Sequence, residues 1–309
     1  TVDSIEELEI ISALAGEADL TADILLRVTP GIKPKTHTYI QTGQIDTKFG
    51  FGIATGQAMK AIKRALELPN LKLWGVHQHI GSQIFGLESF EVASTLVMAF
   101  LKEVLHETGF WPEELNSGGG LGIRYPADDA PPSVEQYLDA VIKPIIKECD
   151  ELARPYPKLM IEPGRGIVGE ACITLYTVGP VKEVPGVRKY IAVDGGLSDN
   201  PRPALYEAVY TVLLANKAKQ EATEQVTVSG KHCETDVLFR DVVLPKPEPG
   251  DILCVMTTGA YNYAMSSNYK KFPRPEMVLL SNGKAEVIVP RQTTAALIRT
   301  EVLHDRRNG

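Results

Sequence analysis

The chain has 309 residues, 44% of them hydrophobic and 23% charged, with a formal net charge of −7. Composition of this kind suits a globular protein with one large and one smaller domain, and no segment approaches the roughly 18 apolar residues of a membrane span. The acidic balance argues against nucleic acid or an anionic membrane surface as partner, because both favour clustered Lys and Arg. Cys149, Cys172, Cys233 and Cys254 lack CxxC spacing. That usage points to a reducing, cytoplasmic setting with neither a disulfide framework nor a metal site.

In chain order, Val2-Asp3 reads as the tail of a strand running into a helix, with Ser4 and Glu7 as a capping box. A domain rarely opens on the end of a strand, so further sequence upstream is expected. The Ser4 helix carries Ile5, Leu8 and Ile11, and a strand follows at 24–28. A helix from about Gly56 to Leu68 is expected to bury Met59, Ile62 and Leu66. Leu71 to His77 is a strand, followed by a long helix from about Glu88 to Glu107 that stops near Gly109. Glu114-Leu115-Asn116 is a short strand, Ser133 and Gln136 open a helix that Pro144 is expected to kink, and 159–161 is a strand ending at Glu162. Strands alternating with helices imply a parallel sheet, and this many similar units suggest a barrel.

Near residue 168 the pattern changes. Segments 173–178, 189–193, 224–228 and 251–255 are β-rich, and Pro185-Gly186 and Pro249-Gly250 supply turns. An antiparallel β domain over 168–290 is expected. Helical periodicity returns from Thr294 to Leu303, within a C-terminal segment, 291–309, expected to return toward the barrel.

Three segments at strand C-termini carry chemistry: 77–83 (His-Gln-His-Ile-Gly-Ser-Gln), 117–122 (Ser-Gly-Gly-Gly-Leu-Gly) and 162–165 (Glu-Pro-Gly-Arg). Barrels of this class build their sites at that end. Gly118, Gly119 and Gly120 offer backbone N–H groups for an anion, although such a run is also a common flexible turn. Ser82 adds a hydroxyl, and Pro163, Gly164 and Arg165 add a second turn and a guanidinium. His77 and His79 point the same way on an extended strand, as structural histidines or as a ring to stack on; no third ligand supports zinc. A buried carboxylate at Glu162 needs a partner, and a protonated ring nitrogen is one. Together they describe a site for a phosphorylated, nitrogen-bearing aromatic cofactor.

Further motifs extend the pattern: 26–30 (Leu-Arg-Val-Thr-Pro), 47–50 (Thr-Lys-Phe-Gly), 193–196 (Val-Asp-Gly-Gly), 202–206 (Arg-Pro-Ala-Leu-Tyr), 233–236 (Cys-Glu-Thr-Asp) and 259–261 (Gly-Ala-Tyr). With the three segments above, the chain resembles the pyridoxal 5'-phosphate-dependent family of ornithine, diaminopimelate and arginine decarboxylases, to which alanine racemase is similar in fold. The resemblance implies a (β/α)8 TIM-type barrel, here as residues 1–167, and the antiparallel β domain. It implies decarboxylation of meso-2,6-diaminopimelate to L-lysine and CO2. His79 would lie on the face of the pyridoxal phosphate ring and Glu162 at its nitrogen. Ser82, the Gly118–Gly120 run, Pro163, Gly164, Arg165 and Tyr261 would hold the phosphate. Arg165, Arg202, Tyr206, Glu234 and Tyr261 would bind the amino acid substrate. Cys233 would be the proton donor, and a homodimer would share Cys233 and Glu234 between its sites.

The chain departs from the family in two ways. No lysine stands in the context of the family's Schiff-base lysine, which ends the first barrel strand. By the family's strand order Val2-Asp3 ends the fourth strand, and five strands cannot close an eight-stranded barrel. A protein of roughly 400 residues is expected, since a full barrel alone needs about 250. A paralogue acting on lysine, ornithine, arginine or carboxynorspermidine, and a non-catalytic regulator without the lysine, are the alternatives. The stretch Tyr269 to Pro275 is read as structural.

Overall fold

The structure, a computed structural model, describes residues 1–32 and 48–302. The chain divides into two compact units, one of residues 1–124 and 128–167, the other of 125–127 and 168–309.

The first unit contains α1 (Ile5–Glu17), β1 (Ala22–Thr29), β2 (Phe51–Gly52), α2 (Gln57–Glu67), β3 (Leu71–His77), α3 (Leu87–Thr108), β4 (Glu114–Asn116), α4 (Val134–Glu151), β5 (Lys158–Met160) and the short α5 (Gly164–Val168) at its end. The strands form one parallel sheet in the order β2-β1-β3-β4-β5, and Val2 adds a parallel bridge to Leu26. Its core is mostly aliphatic, built around Leu8, Leu26, Ile62, Val76, Leu101 and Leu115, with Phe51, Phe90, Phe100 and Tyr137.

Local signals set the helix ends. Ser4 Oγ accepts from the Glu7 N–H at 3.1 Å, but the Glu7 carboxylate accepts from Asp3 N at 2.7 Å, one residue upstream of the expected box partner. The box at Ser133 and Gln136 is complete, and α4 continues as helix across Pro144. Gly109 closes α3 with φ +74°, a conformation that glycine adopts without penalty. Helix α2 buries Ala58, Ala61, Ile62 and Ala65. Of the expected face Ile62 is buried, but Met59 is half-buried and Leu66 exposed; Ala58, Ala61 and Ala65 complete the packed side instead.

The second unit contains β6 (Thr174–Val184), β7 (Arg188–Val193), α6 (Arg202–Tyr206), β8 (Val212–Leu214), β9 (Glu224–Ser229), β10 (Val237–Leu244) and β11 (Ile252–Val255). The sheet order is β10-β9-β7-β6-β11-β8. All pairs are antiparallel except β7 with β9, which run parallel. A separate hairpin, β12 (Met277–Ser281) and β13 (Lys284–Val289), turns at Asn282-Gly283, both with positive φ as a two-residue hairpin turn requires. The final helix, α7, spans Thr294–Ile298, shorter than its periodicity suggests. Leu303 lies outside the described residues, as does Thr47 of the 47–50 motif.

Candidate active site

His77, Asn116 and Met160 are register partners on β3, β4 and β5, so the three glycine- and histidine-bearing loops leave the sheet side by side. This places His79, Ser82, Gly118, Gly119, Gly120, Glu162, Pro163, Gly164 and Arg165 at one end of one parallel sheet.

The glycine run is fixed by backbone crowding. A Cβ on Gly118 would stand 2.3 Å from Gln78 O, one on Gly119 2.1 Å from Glu162 O, and one on Gly120 2.3 Å from Gly81 O. Gly118 (φ +69°) and Gly120 (φ +108°) also need left-handed backbone. The N–H groups are less bare than the sequence suggests. Gly118 N donates to Asn116 Oδ1 at 2.9 Å and Gly119 N to His79 Nδ1 at 3.3 Å. The Gly118 carbonyl accepts from Glu162 N at 2.7 Å and from the buried Tyr137 hydroxyl at 3.4 Å.

The His79 pKa is lowered to about 4, first by burial and then by the positive Arg27 and by His77. His79 is therefore neutral at pH 7, with Nδ1 the acceptor and the other nitrogen carrying the proton. A neutral ring of this kind suits stacking on an aromatic face. Burial also lowers His77, against the pull of Glu162. Its Nε2 lies 3.5 Å from Glu162 Oε2, while buried Nδ1 has no partner, which fits the tautomer protonated at Nε2.

Glu162 differs from expectation in one respect: its side chain is 51% exposed rather than buried. It stands just past the end of β5 with its carboxylate open to a ligand while Asn116 Nδ2 donates to Oε1 at 2.9 Å. Asn116 is the residue that sequence reasoning missed. Buried at 7% exposure, it ties the Glu162 carboxylate to the first glycine through its two amide ends. The signal was present, since Asn116 is a polar residue at the end of a short strand, two positions before the first glycine. The Arg165 guanidinium is buried and donates to Ser82 Oγ from Nη2 at 2.9 Å and from Nε at 3.3 Å. Gly164 N donates to Glu162 O at 2.9 Å.

In the β unit, Arg202 opens α6 and is 6% exposed. Its guanidinium lies 4.8 Å from the Tyr125 ring centre and 5.5 Å from that of Tyr210, whose hydroxyl accepts from Nη1. Tyr206, half-buried, ends the same helix. Next to α6 is a cavity of about 750 Å³ lined by Asn200, Pro203, Ala204, Tyr210, Glu234 and Phe239, among others. Asn200 is 1% exposed, with both side-chain polar atoms lacking partners. Cys233 and Glu234 are exposed neighbours, and the Glu234 pKa is lowered to about 2, first by a hydrogen bond from the Tyr269 hydroxyl. Tyr261 is 46% exposed with φ +65°. No metal-holding cluster of His, Cys, Asp and Glu occurs among the described residues.

The first unit's donor set fits a pyridoxal phosphate. It offers a neutral ring for one face, an oriented carboxylate for the ring nitrogen, and a buried guanidinium with a hydroxyl for the phosphate; a side chain on any of the three glycines would collide with backbone. Residues 1–169 match the family described as "Pyridoxal-dependent decarboxylase, pyridoxal binding domain". The chain belongs to this family of pyridoxal-dependent decarboxylases. It is 47% identical over 307 residues to the diaminopimelate decarboxylase of Synechocystis sp., covering 99% of this chain and 65% of that protein. Against the Bacillus methanolicus diaminopimelate decarboxylase the identity is 46%, covering 96% and 70%. The crystal structure of diaminopimelate decarboxylase from M. jannaschii in complex with L-lysine superposes with a TM-score of 0.91 at 40% identity, covering 98% of this chain and 69% of that one. The chain thus spans about two thirds of the length of the relatives it matches. Its fold is that of the barrel-plus-β-domain decarboxylases, with five parallel strands among the described residues.

Proposed function

We propose that the chain is part of a carboxy-lyase that uses pyridoxal 5'-phosphate to convert meso-2,6-diaminopimelate to L-lysine and CO2, the closing step of lysine biosynthesis. One observation carries the reading. Glu162, held by Asn116 and His77 at three adjacent strand ends beside a neutral His79, occurs in a chain 46–47% identical to proteins named for this reaction. The bound cofactor supplies an electron sink for the pair left behind when the carboxylate departs. Glu162 would pair with the ring nitrogen, His79 would lie against the ring, and Arg165 with Ser82, the glycine turn, Pro163, Gly164 and Tyr261 would hold the phosphate. Arg202, Tyr206, Glu234 and Tyr261, with Arg165, bind the substrate's charged ends. Cys233 returns a proton to the reacting carbon. The protein works in the cytoplasm as a homodimer that shares Cys233 and Glu234.

Arg202 carries the substrate discrimination. One of its five N–H groups is used by Tyr210, which leaves the planar fork able to grip a carboxylate. The test is the specificity constant for diaminopimelate, lysine and ornithine, measured on the natural gene product that contains this sequence. Wild type should prefer diaminopimelate. Arg202→Ala should lose about 30-fold to several thousand-fold on it, the equivalent of about 2–5 kcal/mol for breaking a buried charge pair, and little on lysine. Preference for lysine or ornithine, or equal loss on all three, would overturn the assignment.

A further inference from the structure

Cys233 stands within a cluster of charges. Lys270 donates from Nζ to its sulfur and lies 3.2 Å from Glu234 Oε1; Tyr269 donates its hydroxyl to the same oxygen. The Glu234 carboxylate is 3.9 Å from Sγ, so the thiol faces one cation and one anion. The loop that carries it is anchored from beneath. His232 is buried with Nδ1 2.7 Å from Asp236 Oδ2, and its ring lies 5.6 Å from that of Tyr269. Asp236 also accepts from the backbone of His232 and Leu197. The neighbouring Lys271 is engaged elsewhere, by Glu301. Lys270 itself has φ +53° and ψ 29°, a left-handed backbone in which a long side chain is uncommon. Its pKa is pushed up from the ordinary lysine value, first by the contact with Cys233 and then by Glu234.

We propose that Lys270 is a positioning residue for the reaction: its ammonium holds Cys233 Sγ in place and neutralises the thiolate left when that thiol gives up its proton. The inference rests on the proposed role of Cys233 as proton donor. In that step the S–H bond breaks, a C–H bond forms at the carbon that has lost CO2, and sulfur keeps the electron pair. The thiolate recovers its proton from water. Without Lys270 the new thiolate would face Glu234 alone, and two like charges would oppose the transfer. The segment Tyr269 to Pro275, structural by its sequence, thereby acquires a part in the chemistry.

The test uses the natural gene product that contains this sequence and iodoacetamide, with alkylation of Cys233 and Cys172 followed by mass spectrometry across pH. Only the thiolate reacts. Cys172, the other exposed thiol, is the internal control, and Cys149 and Cys254 are buried. Lys270→Met should slow alkylation of Cys233 at pH 7 about tenfold relative to Cys172, the fold expected when an opposite charge near an ionising group is removed. Its pH profile should move upward. Lys270→Arg, which keeps the charge, should stay within about twofold of wild type. A Lys270→Met profile that superposes on wild type, or an Arg variant as slow as the Met variant, would overturn the proposal. The assay needs neither cofactor nor substrate. A negative result therefore removes the role of Lys270 alone, whereas failure of the substrate assignment shows in the diaminopimelate comparison.

Discussion

Acidification should loosen the first unit, and His79 is the reason. Its folded pKa is lowered to about 4 from 6.5, chiefly by burial. Protons therefore favour the unfolded chain: stability is intact above 6.5 and is lost as pH falls toward 4. Integrating that difference gives a loss of about 2 kcal/mol between pH 7 and pH 5 from this one imidazole. His77, lowered for the same first reason, adds to it. Both tryptophans, Trp74 and Trp111, belong to the first unit, so their fluorescence in urea titrations reports on it alone. His79→Asn keeps an acceptor for the Gly119 N–H and removes the titrating ring. The variant should lose about 2 kcal/mol less than wild type over the same pH interval. Equal losses in the two proteins would show that His79 is not held neutral by burial, and the stacking role would lose its basis.

Asn116→Leu leaves the Gly118 N–H and the Glu162 carboxylate without their shared partner, and should cost about 1–3 kcal/mol in the same urea assay. It should also weaken pyridoxal phosphate binding, read from the cofactor's own fluorescence. Gly119→Ala forces a Cβ against Glu162 O at 2.1 Å and should cost about 1–3 kcal/mol, whereas Gly164→Ala, with nothing within 4 Å, should change stability by less than about 0.5 kcal/mol.

Strands β1, β3, β4 and β5 were legible because each leads into a polar or glycine-bearing motif, as at His77, Asn116 and Glu162, whereas β2, only Phe51–Gly52, went unread. Helix α2 was placed correctly but its face was not, since alanine carries too little hydrophobicity to mark Ala58, Ala61 and Ala65 as the packed side. In the β half, β8, β10 and the β12–β13 hairpin went unread. The hairpin is largely exposed and the three residues of β8 are too few to alternate. Pairing of Lys270 with Cys233 joins positions 37 apart and has no local sequence signal. The glycine run was read as an anion nest. It proved also to be the point where three loops touch, through hydrogen bonds and backbone contacts that leave no room for a Cβ.

The central claim is that Glu162 meets the ring nitrogen of a pyridoxal phosphate held at these strand ends. Nitrogen-15 NMR of the natural gene product loaded with cofactor labelled at that nitrogen tests it most directly. Wild type should show a protonated ring nitrogen at pH 8, and Glu162→Gln, with the cofactor still bound, should show an unprotonated one. The same resonance in both proteins would contradict the account and leave Glu162 a structural carboxylate.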